Sequence, residues 1–408
     1  MNKPKAALSP ILLVNFIATL GFSIVLPFLV VLVIDLGGNE IIYGLLGATY
    51  SFFQLIGAPV LGRWSDEVGR RKILIVSQAG TFFAWVIFLT ALLLPNTTLL
   101  NIDNDKLGKF TLTVPLVILF GARALDGITG GNISVANAYL SDISTDKTRK
   151  KNFGKMSAAA NAGFVVGPAI AGVLGSTALG NLLPVIAAMV ISLLAIFVIY
   201  FRLYDVEPEA TDKPEPKEKI SFKQALVLPN VPFIIGLYFL IYLAFNFFYV
   251  AFPVHSVQTL GWDMFKVGIF FSILSGAMVI VQGPILSRIS GYFKEIHLIL
   301  AGSLILSVCF YLLTIPNDWL MYTGALLFAL GNGIMWPSFL SILSEIAGKK
   351  YQGAVQGYGG SAGSLASILG LVGGGFLYAQ LQANVFLISV GLFALIGISM
   401  FFFKVKDK

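Results

Sequence analysis

Gly62-Arg63-Trp64-Ser65-Asp66-Glu67-Val68-Gly69-Arg70-Arg71-Lys72 is a charged island: six of its eleven residues carry charge, and the chain on either side is apolar. Each flanking segment is long enough to cross a bilayer. A short charged link between two such segments is a tight turn at the membrane surface. Its four basic residues place that turn on the cytoplasmic face, because Lys and Arg in short loops resist translocation.

The rest of the chain agrees. Of its 408 residues, 57% are hydrophobic and 12% charged, with 34 Phe and a mean hydropathy of +0.87. Soluble domains carry about 25% charged residues. Only helices or closed barrels satisfy their backbone groups in lipid. Barrel strands would alternate apolar and polar residues, whereas these apolar runs are continuous, so an all-α membrane protein is expected. The net charge of +7 sits in loops, which topology and anionic headgroups explain without nucleic acid. Cys309 is the single cysteine and lies in an apolar run, so neither a disulfide nor a cysteine-based metal site is expected. Ser9–Ile34 is too long for a signal h-region and reads as the first membrane helix.

Apolar windows give twelve spans: 9–34, 41–61, 73–94, 113–140, 154–177, 181–202, 230–254, 265–286, 296–315, 319–344, 353–378 and 384–403. With the N-terminus inside, the cytoplasmic tails and loops hold 23 of the 27 Lys and Arg. The outer loops hold three, so both termini are expected in the cytoplasm. A Pro-rich tract of mixed charge from Asp205 to Lys219 has linker composition. It divides the chain into a six-helix half at 1–204, a linker at 205–222 and a second half at 223–408. An internal repeat supports the division: Pro59-Val60-Leu61-Gly62-Arg63-Trp64-Ser65 recurs as Pro284-Ile285-Leu286-Ser287-Arg288-Ile289-Ser290, and Leu140-Ser141-Asp142-Ile143 as Leu343-Ser344-Glu345-Ile346. Parallel six-helix repeats point to a transporter whose substrate site lies at mid-membrane.

Arg123 and Asp126 are ionisable residues near the middle of a span, on one helix face. Such charges mark ion or proton paths, or form a static pair that holds packing. Gly163, Gly167, Pro168 and Gly172 put small residues along one face of the fifth span, with a proline that interrupts its hydrogen-bond ladder. In the seventh span, Tyr242, Asn246 and Tyr249 either line a cavity suited to a planar lipophilic ligand or face lipid. Gln54, Asn132, Asn137, Asn161, Gln282, Asn332 and Trp336 are further cavity candidates, with helix-to-helix hydrogen bonding as the alternative for the amides. His255 and His297 lie near span ends and read as surface or capping residues.

These residues resemble the Major Facilitator Superfamily. Gly62, Asp66, Gly69, Arg70 and Arg71 match its signature loop between helices two and three. Leu119-x3-Arg123-x2-Asp126-Gly127-x2-Gly130 is similar to its fourth-helix motif, and Gly163-x3-Gly167-Pro168-x2-Ala171-Gly172 to the motif of proton-driven antiporters. The match is nearest the twelve-helix drug:proton antiporters of the tetracycline-efflux group, through Ser65-Asp66, Gly69-Arg70-Arg71 and Ala138-Tyr139-x2-Asp142-Ile143. The resemblance implies that Asp66, Arg70, Arg71 and Asp142 latch the cytoplasmic side, and that the fifth helix is a tightly packed hinge. The chain departs from the group in three places. It reads Ala18-Thr19-Leu20-Gly21 where tetracycline exporters carry an acid in helix one. Ala171 replaces a glycine, and Asp126 stands where a neutral residue is commoner.

The function expected is secondary active transport: proton-coupled export of lipophilic or amphipathic small molecules by alternating access, with Asp126 as the proton site. A uniporter or an importer of a metabolite, lipid or siderophore-like ligand is the alternative within transport. A membrane receptor or scaffold is the alternative outside it. The chain has no Gly-x4-Gly-Lys-Ser/Thr loop, which excludes a nucleotide-driven pump on this polypeptide. No enzyme activity, cofactor or metal is expected. The partners expected are a small-molecule substrate, protons and the lipid bilayer, with a monomer as the working unit. By resemblance, a bacterial cytoplasmic membrane is the expected location.

Overall fold

The computed structural model describes residues 8–105, 107–130, 132–144, 146–204 and 222–403, apart from the side chains at 26, 27, 132, 146, 147, 149–151, 222, 348–350, 352 and 353. The linker expected at 205–222 lies almost wholly outside the described residues.

The helices are α1 (Leu8–Asp35), α2 (Glu40–Val68), α3 (Arg70–Leu93), α4 (Val114–Thr129), α5 (Asn132–Asp142), α6 (Asp146–Gly175) and α7 (Leu182–Arg202), followed by a single turn, α8 (Phe222–Ala225). Then come α9 (Val231–Gln258), α10 (Met264–Ile280), a π turn at Val281–Ile285, the short α11 (Leu286–Ile289), α12 (Glu295–Leu312), α13 (Asp318–Leu381) and α14 (Val385–Phe402). Eleven described segments are long and apolar enough to cross a membrane. The last, 354–402, runs for 49 residues and holds two helices separated by a 3-10 turn at Gln382–Asn384. Twelve membrane helices result, as the hydropathy pattern predicts.

Helical backbone continues without interruption through α13, and a straight helix of that length would extend about 96 Å. It is not straight. The Tyr238 ring lies 5.1 Å from that of Trp336, and a Cβ on Gly363 would come 2.6 Å from the same ring. A Cβ on Gly359 would likewise meet Leu343. The chain folds back between Leu343 and Gly359, so the tenth and eleventh spans lie side by side.

The contacts fall into two compact units, one of residues 1–209 with 262–272, the other of 210–261 with 273–408. In the first, caps set the helix starts. The Asn39 side chain accepts from the Ile42 N–H to begin α2, and Thr113 accepts from Leu116 to begin α4 beside Pro115. Gly69 ends α2 and starts α3 at φ 108°, a left-handed value that a residue with a Cβ rarely adopts. Ile11, Val14, Leu61, Leu74, Tyr139 and Ile199 belong to one buried cluster that gathers α1, α2, α3, α5 and α7 near that turn. The predicted loop after α3 is instead an antiparallel hairpin, β1 (Thr98–Asn104) with β2 (Gly108–Thr113). Hydrogen bonds from Thr111 N to Gly37 O (2.8 Å) and from Asn39 Nδ2 to Leu107 O (2.8 Å) dock it on the α1–α2 turn.

In the second unit, α9 is buried along most of its length. Its aromatics form core: Phe248 stacks on Phe328 at 4.9 Å, and Phe245 tilts against Phe328 and Phe393 at 5.2 and 5.3 Å. His255 is a correction to the sequence reading. It is 1% exposed, shares a 3.3 Å hydrogen bond between Nδ1 and the Tyr378 hydroxyl, and packs edge-on against Phe386. The loop after α9 is short, and the cover comes from α13 and α14, which neighbouring sequence does not reveal. His297, by contrast, is exposed in the first turn of α12, as expected.

Candidate functional site

The fourth membrane span runs over Val114–Asp142, with α4 and α5 on either side of residues 130 and 131, of which 131 lies outside the described residues. Close packing positions α4. Gly57 of α2 abuts the Ile128 backbone, Gly127 abuts the Tyr50 carbonyl, and Gly80 of α3 abuts Thr129. Helices this close bring side chains within hydrogen-bond reach across the seam.

Arg123 and Asp126 pair at 3.1 Å, both buried. The Arg123 guanidinium lies 4.5 Å from the centre of the Tyr50 ring, a cation–π contact. Its Nε has no hydrogen-bond partner. Thr81 lines the same cavity as Asp126, and its hydroxyl sits 3.3 Å from the Thr129 hydroxyl. The Gln54 amide donates to the Tyr50 hydroxyl (3.0 Å) and to the Gly130 carbonyl (3.2 Å). Ser77 donates to the Thr129 carbonyl.

Asp126 opens onto a cavity of about 340 Å³ inside the first unit. Gln54 and Asn137, both sequence candidates, line it, as do Phe22, Tyr50, Thr81 and Trp85. A carboxylate, neutral amides and hydroxyls, and aromatic faces meet there, a lining that suits a partly polar organic molecule. Arg123 stands behind Asp126 and is not part of the lining.

The residues of the opening motif form a second site. Arg70 bonds Asp66 at 2.5 Å and Asp142 at 3.0 Å, and its third contact is the Ser65 hydroxyl at 2.6 Å. Ser65 in turn donates to the Gly62 carbonyl. One guanidinium thus ties the end of α2 and the end of α5 to the start of α3. Arg71 turns the other way: it donates to the Tyr200 carbonyl (2.5 Å) and lies over the Tyr200 ring of α7.

A sequence profile of the Major Facilitator Superfamily matches residues 11–297 and 283–408. The chain belongs to this superfamily. Among its relatives are a tetracycline resistance protein, class D, of Salmonella ordonez, 27% identical over 97% of this chain and 96% of that protein. Multidrug resistance protein 1 of Bacillus subtilis (strain 168) is 30% identical over 93% of this chain and 91% of that protein. In solved structures, the same fold recurs in a bacterial homolog of the human lysosomal transporter Spinster, with TM-score 0.75 and 12% identity over 98% of this chain and 97% of that one. The protein is an integral membrane transporter of the superfamily, similar to the drug:proton antiporter group, and not an enzyme.

The small residues expected to form an antiporter-type motif, Gly163, Gly167 and Gly172 with Pro168, lie on α6. A Cβ on Gly163 would stand 2.9 Å from Leu20 N and Phe16 O, and Gly167 is pressed against Ser23. The Ser23 hydroxyl donates to the Gly163 carbonyl at 2.9 Å. Further along, Gly172 meets Phe265, while a Cβ on Gly268 would come 2.5 Å from the Pro168 carbonyl. So α6 is packed backbone to backbone on α1 and on the first turns of α10, and it continues helically through Pro168.

In the second unit, Tyr242 stacks on Tyr238 at 5.0 Å, and Trp336 stands edge-on to both. Asn246 donates to the Tyr242 carbonyl (2.7 Å) and to Ser367 (3.0 Å), tying α9 to α13. Tyr249 neighbours Phe248 at 5.4 Å. Gln282 sits in the π turn. Asn332 contacts Met278 through its amide nitrogen, and its Oδ1 is buried without a partner. Asn161 lies on α6 outside the cavity lining, and the Asn132 side chain lies outside the described residues. Sequence reasoning missed Tyr50 and Thr81. Tyr50 had one legible signal, its i,i+4 spacing from Gln54, whereas nothing local pairs Thr81 with Asp126.

Proposed function

We propose that this transporter is a proton-coupled exporter of lipophilic or amphipathic small molecules, working by alternating access between two six-helix halves, 1–204 and 223–408. One observation carries the reading: a buried carboxylate, Asp126, lies on the wall of a cavity and is paired with Arg123. A carboxylate so placed gains or loses its proton according to whether water or substrate fills the cavity. Protonation releases Arg123, and the change of charge balance favours one orientation of the transporter over the other. Resistance proteins among the relatives support export as the direction.

Asp66, Arg70 and Asp142 secure the cytoplasmic side while the transporter faces outward, with Gly62 and Gly69 shaping the turn and Arg71 anchoring α3 to α7. Glycines 163, 167 and 172, with Pro168, make α6 the tightly packed element about which the halves move. The protein works as a monomer in a bacterial cytoplasmic membrane with both termini inside.

Substrate-driven proton movement in proteoliposomes loaded with a pH dye tests this. Lipophilic cations, tetracycline-like compounds and metabolites are presented to wild type and Asp126→Asn. Proton flux evoked by one compound and abolished in the variant is the result expected. Flux that persists in the variant removes Asp126 from the mechanism. Substrate movement without proton movement replaces the antiporter with a uniporter.

A further inference from the structure

We infer that Gln54 is a positioning residue for the proton-coupled step: its amide ties the ring that covers Arg123 to the Gly130 carbonyl at the end of α4. The inference rests on the reading of Asp126 as the proton site and goes beyond it, because it assigns the route from that carboxylate to the cytoplasmic latch.

The Gln54 NH2 has two hydrogens to donate, and it reaches two acceptors on different elements, Tyr50 Oη at 3.0 Å and Gly130 O at 3.2 Å. Tyr50 Oη is itself pressed against Gly130, where an added Cβ would come within 2.8 Å of it. On the other side, the Tyr50 ring faces the Arg123 guanidinium. A continuous series of contacts therefore runs from Asp126 through Arg123, Tyr50 and Gln54 to Gly130. Further along the same span lies α5, which carries Asn137 on the cavity wall and, at its far end, Asp142 bonded to Arg70.

The physics gives the series a direction. When Asp126 takes a proton, Arg123 loses its counter-ion at 3.1 Å, and the Tyr50 ring becomes the principal attraction left for the cation. The Arg123 Nε is unbonded, so no hydrogen bond at that atom holds the guanidinium in place. Movement of the guanidinium over the ring is passed to Gln54 through the phenol, and from Gln54 to the Gly130 carbonyl. Gln54 holds Tyr50 in register with Gly130 and so makes the charge at Asp126 legible further along the fourth span.

The test compares Gln54→Met, which keeps side-chain length and removes both donors, with Tyr50→Phe, which keeps the ring over Arg123 and removes the acceptor. Both are reconstituted, and the pH profile of transport, the KM and the protons moved per substrate are measured. Tyr50→Phe, which loses one hydrogen bond, is expected to shift the midpoint of the pH profile by about one pH unit, Gln54→Met, which loses two, by at least as much, and both to move fewer protons per substrate. Should Gln54→Met alter KM alone, Gln54 is a cavity-wall residue and the inference fails. If that variant does not fold, Tyr50→Phe decides: an unchanged midpoint overturns the inference. Asp126→Asn separates the two levels. Proton flux surviving in that variant defeats the Asp126 reading as well. Flux lost there, with wild-type midpoints in both other variants, defeats only the role given to Gln54.

Discussion

Arg123 and Asp126 hold opposite charges inside a membrane-spanning helix, where each alone is costly. Removing one partner of a buried pair costs about 3–5 kcal/mol, whereas replacing both with apolar groups of similar size is often neutral. Arg123→Leu is therefore expected to lower the unfolding temperature of the purified protein markedly. Arg123→Leu combined with Asp126→Leu is expected to recover most of it while leaving transport abolished. Thermal unfolding of the two variants beside substrate uptake checks this, and equal destabilisation in both would mean the pair is not energetically coupled. The presence of the pair is plain from sequence, since three-residue spacing aligns the two side chains on a helix. Its surroundings are not: Tyr50 and Thr81 come from α2 and α3, and no local periodicity points to either.

Helix α6 shows how a motif becomes packing. The small residues at 163 and 167 announce close approach, but only the structure shows that α1 is what approaches, through Phe16, Leu20 and Ser23. A Cβ on Gly163 would crowd two backbone atoms at 2.9 Å, so relief requires the helices to separate. Gly163→Ala is expected to cost about 1–3 kcal/mol, the usual penalty of overpacking. Gly121→Ala on α4, where an added Cβ meets nothing within 4 Å, is expected to be neutral or mildly stabilising. Thermal unfolding of both variants in the same detergent decides, and equal behaviour would show that the α1–α6 seam can open without penalty. The hairpin β1–β2 is a case where the sequence reading stopped short, because a polar outer loop and a short exposed hairpin share one composition.

Across the whole molecule, the Arg70 cluster ties the ends of α2 and α5 to α3 through partly exposed ion pairs. Pairs of this kind contribute only about 0–1 kcal/mol to folding, so the latch proposed for them acts on the balance between transport states. Asp142→Asn is expected to leave the unfolding temperature almost unchanged yet lower the rate of substrate export severalfold. Asp142→Glu, which keeps the charge facing Arg70, is expected to retain most of that rate. A loss of stability equal to the loss of transport would make the cluster a structural tie instead.

Sequence by itself determined the membrane class, the twelve spans, the repeat and the superfamily, because hydropathy, loop charge and short motifs are local properties of the chain. It also placed Asp126, Arg123 and the turn at Gly69. Tertiary structure alone decided that α13 folds back on itself, that His255 is buried beneath α13 and α14, that Arg71 reaches Tyr200 of α7, and that Gln54 bridges Tyr50 to Gly130. Each of these depends on which helix face meets which neighbour. In a membrane the apolar stripe that orients a soluble helix is absent, since lipid is as apolar as the core. Shape and hydrogen bonding between distant segments then settle the pairing, and neither can be read along one strand of sequence.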